Sequence, residues 1–132
     1  MPVQFEWNEP EKRTIRYTFQ GKWTWDEVYD AFQTSWAESV EFDHIVDSIS
    51  DLSTANFVPP SAITHLRSLG QKRPQNTGVM IIVGTNNYLR LVMQSFQQIV
   101  SSTMKRDLHI QFAKSMDEAL AIIAEKQAER TA

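Results

Sequence analysis

The sequence predicts a single α/β domain with a mixed, mostly parallel sheet, an antiparallel hairpin at its start and about four helices. Three observations predict it: apolar residues alternate near the N-terminus, an almost unbroken apolar segment joins Gly78 to Gly84, and helix-forming segments separate the later strands. The element order is β-β-α-β-α-β-α-β-α, and right-handed crossovers then place the helices against the sheet. With 132 residues, the chain has the length of one domain, residues 1–132.

The first two strands are predicted by period-two alternation on either side of a turn that contains Pro10. The alternating apolar residues are Val3, Phe5 and Trp7 in the first strand and Ile15, Tyr17 and Phe19 in the second. Gly21 ends the second strand. Thr24 with Glu27 forms a capping-box pattern, which predicts a helix with one largely aromatic face made by Trp25, Val28, Tyr29, Phe32 and Trp36.

A short β-branched segment with Val46 and Ile49 predicts the third strand, which ends in turn-forming residues 51–56. Pro59 and Pro60 favour the start of a second helix, and Gly70 is predicted to end that helix with a left-handed residue. The segment from Gly78 to Gly84 predicts a strand buried on both faces, placed at the centre of the sheet.

The last third of the chain predicts one helix, one strand and one further helix. A long helix contains Leu89 to Val100 on its apolar side, and a strand then starts at Asp107 and passes through Phe112. Ser115 and Glu118 form a second capping-box pattern before the last helix. The polar residues 126–132 are predicted to fray.

Composition narrows the classes of function. The net charge is −3 and the 13 Lys and Arg residues are scattered, so a nucleic-acid partner is not predicted. The absence of cysteine excludes disulfides and thiolate nucleophiles, and a cytoplasmic location is the expectation. No window approaches the roughly 18 apolar residues of a membrane span. No cofactor motif is present.

Titratable residues do not form a recognisable catalytic or metal-binding motif. His44, His65 and His109 lack metal-ligand spacing and are predicted to be structural or surface residues. The series Asp43, Asp47 and Asp51 is interpreted as one strand carboxylate, Asp47, that needs a partner, with the other two in flanking loops; a carboxylate pair for acid–base catalysis is the alternative. We therefore predict that the chain is not an enzyme.

Two further groups of residues are candidates for binding. Most of the tryptophans in the first third of the chain are predicted to lie in the core. Because Trp23 and Trp25 cannot face the same way on an extended segment, the alternative is that one of them is exposed and marks a ligand pocket or an oligomer surface. Gly84, Thr85 and Asn86 open a helix at the end of a strand, where an anion is stabilised, although a capped turn is the preferred interpretation.

The element order and three passages of sequence resemble the SpoIIAA-like fold of the STAS family, which joins sulfate transporters with anti-sigma factor antagonists. The passages are Asp51-Leu52-Ser53 leading into Pro60-Ser61-Ala62-Ile63, the junction Ile82-Val83-Gly84-Thr85, and the segment from Phe112 to Leu120. The last two look like the SpoIIAA-like subgroup often grouped with lipid-binding CRAL-TRIO-type domains.

The resemblance implies a position for regulation. In the family, the helix after the third strand begins with an Asp-Ser-Ser-Gly-Leu-like segment whose second serine is phosphorylated by a partner kinase. The matching segment here is Pro59-Pro60-Ser61-Ala62-Ile63, which keeps the serine as Ser61 but lacks the aspartate, the first serine and the glycine.

Three functions follow as hypotheses. The first is a regulatory protein-interaction module whose contact surface is the loop containing Pro59 and Pro60 and the start of the second helix. Ser61 would be its phosphorylation switch, and a plain helix-capping serine is the preferred alternative for that residue. The second is a carrier or sensor of a lipid or other apolar small molecule, held between the sheet and its helices. An enzyme is the third, and a homodimer is compatible with each.

Overall fold

The structure is a computed structural model that describes residues 2–55, 58–84 and 110–131, together with Leu91, Gln94 and Gln98. These residues form an α/β fold, as predicted. Its elements are β1 (Val3–Trp7), β2 (Thr14–Gly21), α1 (Trp25–Ser39), β3 (Val46–Ala55), α2 (Ala62–Lys72), β4 (Thr77–Val83), β5 (Ile110–Ala113) and α3 (Met116–Thr131). The helix predicted around Leu89 to Val100 lies outside the described residues, except for the three isolated residues just named, whose backbone is helical.

The five strands form one mixed sheet in the order β1-β2-β3-β4-β5. β1 pairs with β2 in the antiparallel direction, whereas the other three pairings are parallel. The predicted hairpin and mostly parallel sheet are therefore confirmed. The prediction that the segment between Gly78 and Gly84 is the central strand is wrong: the hairpin adds two strands on one side of β3, and β4 and β5 add two on the other.

α1 begins as its sequence predicts. The hydroxyl oxygen of Thr24 accepts a hydrogen bond from the Glu27 amide at 3.3 Å, and the Glu27 carboxylate accepts one from the Thr24 amide at 3.0 Å. This reciprocal capping box satisfies two of the amides that a helix start leaves unpaired. The second capping-box pattern, at the start of α3, forms only in part. The Ser115 hydroxyl accepts a hydrogen bond from the Glu118 amide, but the Glu118 carboxylate accepts one from the Lys114 amide instead.

α2 starts after the two prolines, as predicted, but Gly70 does not end it. Gly70 is buried inside the helix, which continues to Lys72. Arg73 then has extended backbone angles, φ −64° and ψ 146°. Arg73 precedes Pro74, and the proline ring excludes helical geometry from the residue before it. The proline therefore ends the helix.

The last helix holds a fully buried carboxylate in the sheet. Asp47 is 0% exposed and accepts two hydrogen bonds from the guanidinium of Arg130, at 2.7 and 2.9 Å, and one from the Val79 amide at 2.8 Å. Gln127 also donates to it, at 3.3 Å. Asp47 has the partner that its position in a strand requires. The contacts of Gln127 and Arg130 lie near the end of α3, which extends to Thr131, and the fraying of residues 126–132 stays a prediction.

Asp51 does not lie in a loop, contrary to the sequence interpretation. β3 extends to Ala55 because its second half pairs with β2, with Asp51 opposite Thr18 and Ala55 opposite Gly21. The Asp51 carboxylate accepts hydrogen bonds from the amide and hydroxyl of Ser53, at 3.0 and 2.6 Å. These local bonds replace the turn that residues 51–56 predict.

Candidate functional site

An apolar cavity lies between the sheet and the two helices α1 and α2. Its floor comes from side chains that share one face of the sheet, because the register places Ser50 beside Tyr17 on β2 and beside Ile82 on β4. Residues pointing to the same face of neighbouring strands line the floor: Phe19, Ser50, Leu52, Met80, Ile82 and Ile110.

The walls of the cavity are the apolar sides of the two helices. α1 contributes residues spaced three or four apart, so they fall on one side of the helix, and α2 does the same. These residues are Trp25, Val28, Phe32 and Trp36 of α1 and Ala62, Leu66, Leu69 and Gly70 of α2. The aromatic side of α1 predicted from sequence therefore forms one wall.

The cavity has room for a small molecule. Within the cavity, the centre of a water molecule can occupy a volume of about 70 Å³. Since one water needs roughly 10–15 Å³ of that space, about five to seven waters would fill it, equivalent to about 150–200 Å³ of liquid. Two fused aromatic rings have a similar size.

Both candidate tryptophans line this cavity, but in different ways. Trp23 is only 3% exposed, whereas Trp25 is half-buried. Their rings meet edge to face with centroids 4.9 Å apart. The structure thus brings together the two residues that sequence reasoning expected to separate, because the chain turns between them into α1.

Trp25 also connects α1 to the start of α2. Its indole N–H donates to the carbonyl oxygen of Pro60 at 2.9 Å, and its ring stacks on His65 with centroids 4.9 Å apart. The hydroxyl of Tyr29 lies 3.0 Å from Nδ1 of His65. These contacts fix the helices at one end of the cavity and give His65 a structural role.

Ser61 occupies the N-cap position of α2 without acting as a cap. Its backbone is left-handed, with φ 69° and ψ 31°, and its side chain makes no capping hydrogen bond. The residue is exposed, as is Pro60, whereas Pro59 is buried. The loop therefore presents the Ser61 hydroxyl at the surface, beside the end of the cavity that Trp25 closes.

The remaining candidates do not add a second site. Gly84 donates its amide to the carbonyl oxygen of Ala113 at 3.3 Å, while Thr85 and Asn86 lie outside the described residues. His44 contacts the Lys12 carbonyl oxygen at 3.0 Å, and His109 is not among the described residues. In the described part of the chain, no three His, Asp or Glu side chains are placed to hold a metal ion.

The hydroxyl of Tyr17 lies beneath α1, bonded to the Ser35 hydroxyl at 2.5 Å. Burial raises the pKa of the Tyr17 phenol well above its ordinary value, although the Ser35 hydrogen bond acts in the opposite direction. The phenol is therefore neutral in water at ordinary pH. It serves to join β2 to α1 and is unsuited to act as a base.

Arg73 is the charged residue among the described residues that line the cavity. It is 8% exposed, and its guanidinium donates to the carbonyl oxygen of Gly70. Sequence reasoning missed Arg73, Ser50 and Met80 as lining residues. The alternation of β3 and β4 could have placed Ser50 and Met80 on one face, but which face α2 covers depends on the crossover.

The mixed sheet, the N-terminal hairpin and the helices packed on it define a SpoIIAA-like α/β fold. Among solved structures, the chain is similar to an uncharacterised protein of the DUF3478 family from Shewanella loihica PV-4, described as having a SpoIIAA-like fold. The TM-score is 0.60 at 12% identity, over 90% of this chain and 90% of that chain. At this identity the likeness shows the fold alone.

The sequence comparisons add no family to that fold. No family model matches the chain, and no curated protein matches it. Among the described helices, none has the length and apolar character needed to cross a membrane.

Proposed function

We propose that this chain is a non-catalytic binding module that holds a small apolar molecule between its sheet and the helices α1 and α2. The cavity is the observation that carries the proposal. Its described lining is aliphatic and aromatic except for Ser50, Arg73 and the indole N–H groups, which is the composition of sites that bind apolar ligands.

The space is a cleft that is partly open to solvent, and close core packing leaves few spaces of this size. Protein interiors are close-packed and contain few voids larger than a water molecule, since each void forfeits contacts among the atoms around it. Rigid aromatic walls such as Phe32 and Trp36 cannot collapse into the space without moving α1. A bound molecule would supply the missing contacts.

Filling the cavity from the sheet tests this function. Ser50→Leu adds an isobutyl group to the floor, so we expect it to abolish naphthalene binding measured by titration calorimetry. Ser53→Leu is the matched control, because it makes the same change on the same strand at an exposed position outside the cavity. That variant is expected to bind naphthalene as the wild type does.

Native mass spectrometry of protein purified from cells provides an independent readout. We expect a small molecule to accompany the wild type and Ser53→Leu but not Ser50→Leu. Equal naphthalene affinities for the two variants, with no accompanying molecule in either, would show that the cavity is not a binding site.

A second candidate function is a protein-interaction module controlled by phosphorylation of Ser61. The exposure of Ser61 and the lack of a capping hydrogen bond from its hydroxyl favour this function. A phosphate there would add a charge of roughly −1.5 to −2 beside the unpaired amides that begin α2, a favourable place for an anion. The first turn of α2 contains no acidic residue that would oppose it. The change would alter the surface that a partner meets without unfolding the domain.

Ser61→Asp separates a switch from a plain loop residue. Aspartate tolerates N-cap and left-handed positions, so we expect a change in stability within about 0.5 kcal/mol. If Ser61 is a switch, the Ser61→Asp variant should fail to capture a partner protein that the wild type captures. Thr34→Asp, at an exposed position of α1, should still capture that partner. Identical captured proteins, with unmodified Ser61 in phosphopeptide maps of cellular protein, would refute the switch.

A further inference from the structure

Ser50 places a hydroxyl in the middle of the cavity floor, the only hydroxyl among the described lining residues. It lies in β3, the third of five strands, beside Tyr17 of β2 and Ile82 of β4. Leu52, two residues further along β3, and Ile82 make the floor around it aliphatic. A polar group in a mainly apolar site is the kind that fixes the orientation of a ligand.

The side chain of Ser50 is accessible from the cavity. Ser50 is half-buried, whereas its neighbours across the sheet, Tyr17 and Ile82, are 1% and 9% exposed. Because β3 pairs with a strand on either side, the backbone of Ser50 is covered and its exposed surface belongs to the side chain. That side chain lies on the face of the sheet that forms the cavity floor, so a molecule in the cavity can reach it.

The hydroxyl of Ser50 has no hydrogen-bond partner among the described residues. The indole N–H of Trp23 also lacks one, but this nitrogen is buried and so closed to a molecule in the cavity. Without a ligand, water satisfies the Ser50 hydroxyl. A purely apolar ligand would displace that water and leave its hydrogen bond unreplaced, which lowers affinity. Ser50 therefore favours a ligand that brings its own hydrogen-bonding group.

We propose that the bound molecule is a mainly apolar compound of about two-ring size that carries a hydroxyl group, and that this hydroxyl forms a hydrogen bond with Oγ of Ser50. This inference rests on the proposed function, because it names the ligand class of the same cavity. A serine hydroxyl both donates and accepts, and so does a ligand hydroxyl, so the bond forms in either direction. The apolar body of the ligand then contacts the walls made by α1 and α2.

Two probes of nearly the same shape, 2-naphthol and 2-methylnaphthalene, test this inference by titration calorimetry. They differ in a hydroxyl against a methyl group, so the ratio of their affinities isolates the effect of that group. Ser50→Ala removes the floor hydroxyl, and we expect it to weaken binding of 2-naphthol but not of 2-methylnaphthalene. The affinity ratio should shift by about five- to tenfold in favour of 2-methylnaphthalene, the range that one net hydrogen bond provides.

Two further variants distinguish a hydrogen bond from a change in packing. Ser48→Ala is the matched control, because Ser48 lies two residues away on the same face of β3 and is not among the described lining residues of the cavity. Its affinity ratio should match that of the wild type. Ser50→Thr keeps a hydroxyl at the floor and adds a methyl group, so it should lower both affinities and keep the ratio. Circular dichroism checks that each variant is folded.

The outcomes separate this inference from the proposed function. If 2-methylnaphthalene binds and the affinity ratio is the same in the wild type and in Ser50→Ala, the hydroxyl anchor is overturned while the apolar site stands. An equal shift of the ratio in Ser48→Ala would overturn the assignment of the anchor to Ser50. If neither compound binds the wild type, the site itself is overturned, and the anchor with it.

Discussion

Arg130→Met is expected to lower the free energy of unfolding by about 3–5 kcal/mol, because it leaves the carboxylate of Asp47 buried in the core without its cation. The Asp47 side chain is 0% exposed and that of Arg130 is 28% exposed, so water cannot replace the guanidinium fully. The remaining donors, the Val79 amide and Gln127, are neutral. Urea denaturation followed by tryptophan fluorescence measures the change.

Lys126→Met provides the matched control on the same helix. Lys126 forms a pair with Glu129 at 3.8 Å, and both side chains are well exposed, so its loss should change stability by no more than about 0.5 kcal/mol. Adding Asp47→Asn to Arg130→Met should recover part of the lost free energy of unfolding, since it removes the unpaired buried charge. Equal denaturation midpoints for Arg130→Met and Lys126→Met would contradict the account of Asp47 as a buried charge that depends on α3.

The features that sequence predicts well here depend on neighbours a few residues away. The hairpin follows from alternation within residues 3–19, and the capping box of α1 joins two residues three apart, Thr24 and Glu27. Such patterns describe interactions that are complete within one element or one turn. They place the strands and helices of the SpoIIAA-like fold without knowledge of how those elements meet.

The features that sequence could not predict depend on residues far apart in the chain. Arg130 reaches Asp47 across 83 positions, and the polar composition of residues 126–132 gives no sign of that contact. The same holds for Asp51, whose turn-forming neighbours are kept in β3 by pairing with β2. In each case tertiary contacts outweigh local preference.

The candidate site was only partly visible in the sequence for the same reason. The aromatic side of α1 is periodic and was predictable, whereas a role for Trp23 and Trp25 in binding stays a prediction. The described lining of the cavity combines residues from two helices, four strands and three loops, which no local pattern joins. The unpaired N–H of Trp23 emerges only once its surroundings are known.

Ile81→Ala is expected to lower the free energy of unfolding by about 2–5 kcal/mol, through lost burial and the cavity left behind. Ile81 is 1% exposed, and it lies in an interior strand within the cluster that includes Ile49 and Ile123. Val40→Ala is the control, because Val40 is 55% exposed and its truncation removes little buried surface. An unchanged denaturant midpoint for Ile81→Ala would show that β4 contributes little to the core.

The position of Ile81 also separates stability from binding. Ile81 packs toward α3, on the opposite face of the sheet from Ile82 and the cavity floor, since neighbouring residues of a strand point to opposite faces. Ile81→Ala should therefore leave naphthalene affinity within about twofold while the domain remains folded, whereas Ser50→Leu should abolish it. A loss of binding in Ile81→Ala at temperatures where circular dichroism shows a folded domain would mean that the two faces are coupled through the sheet.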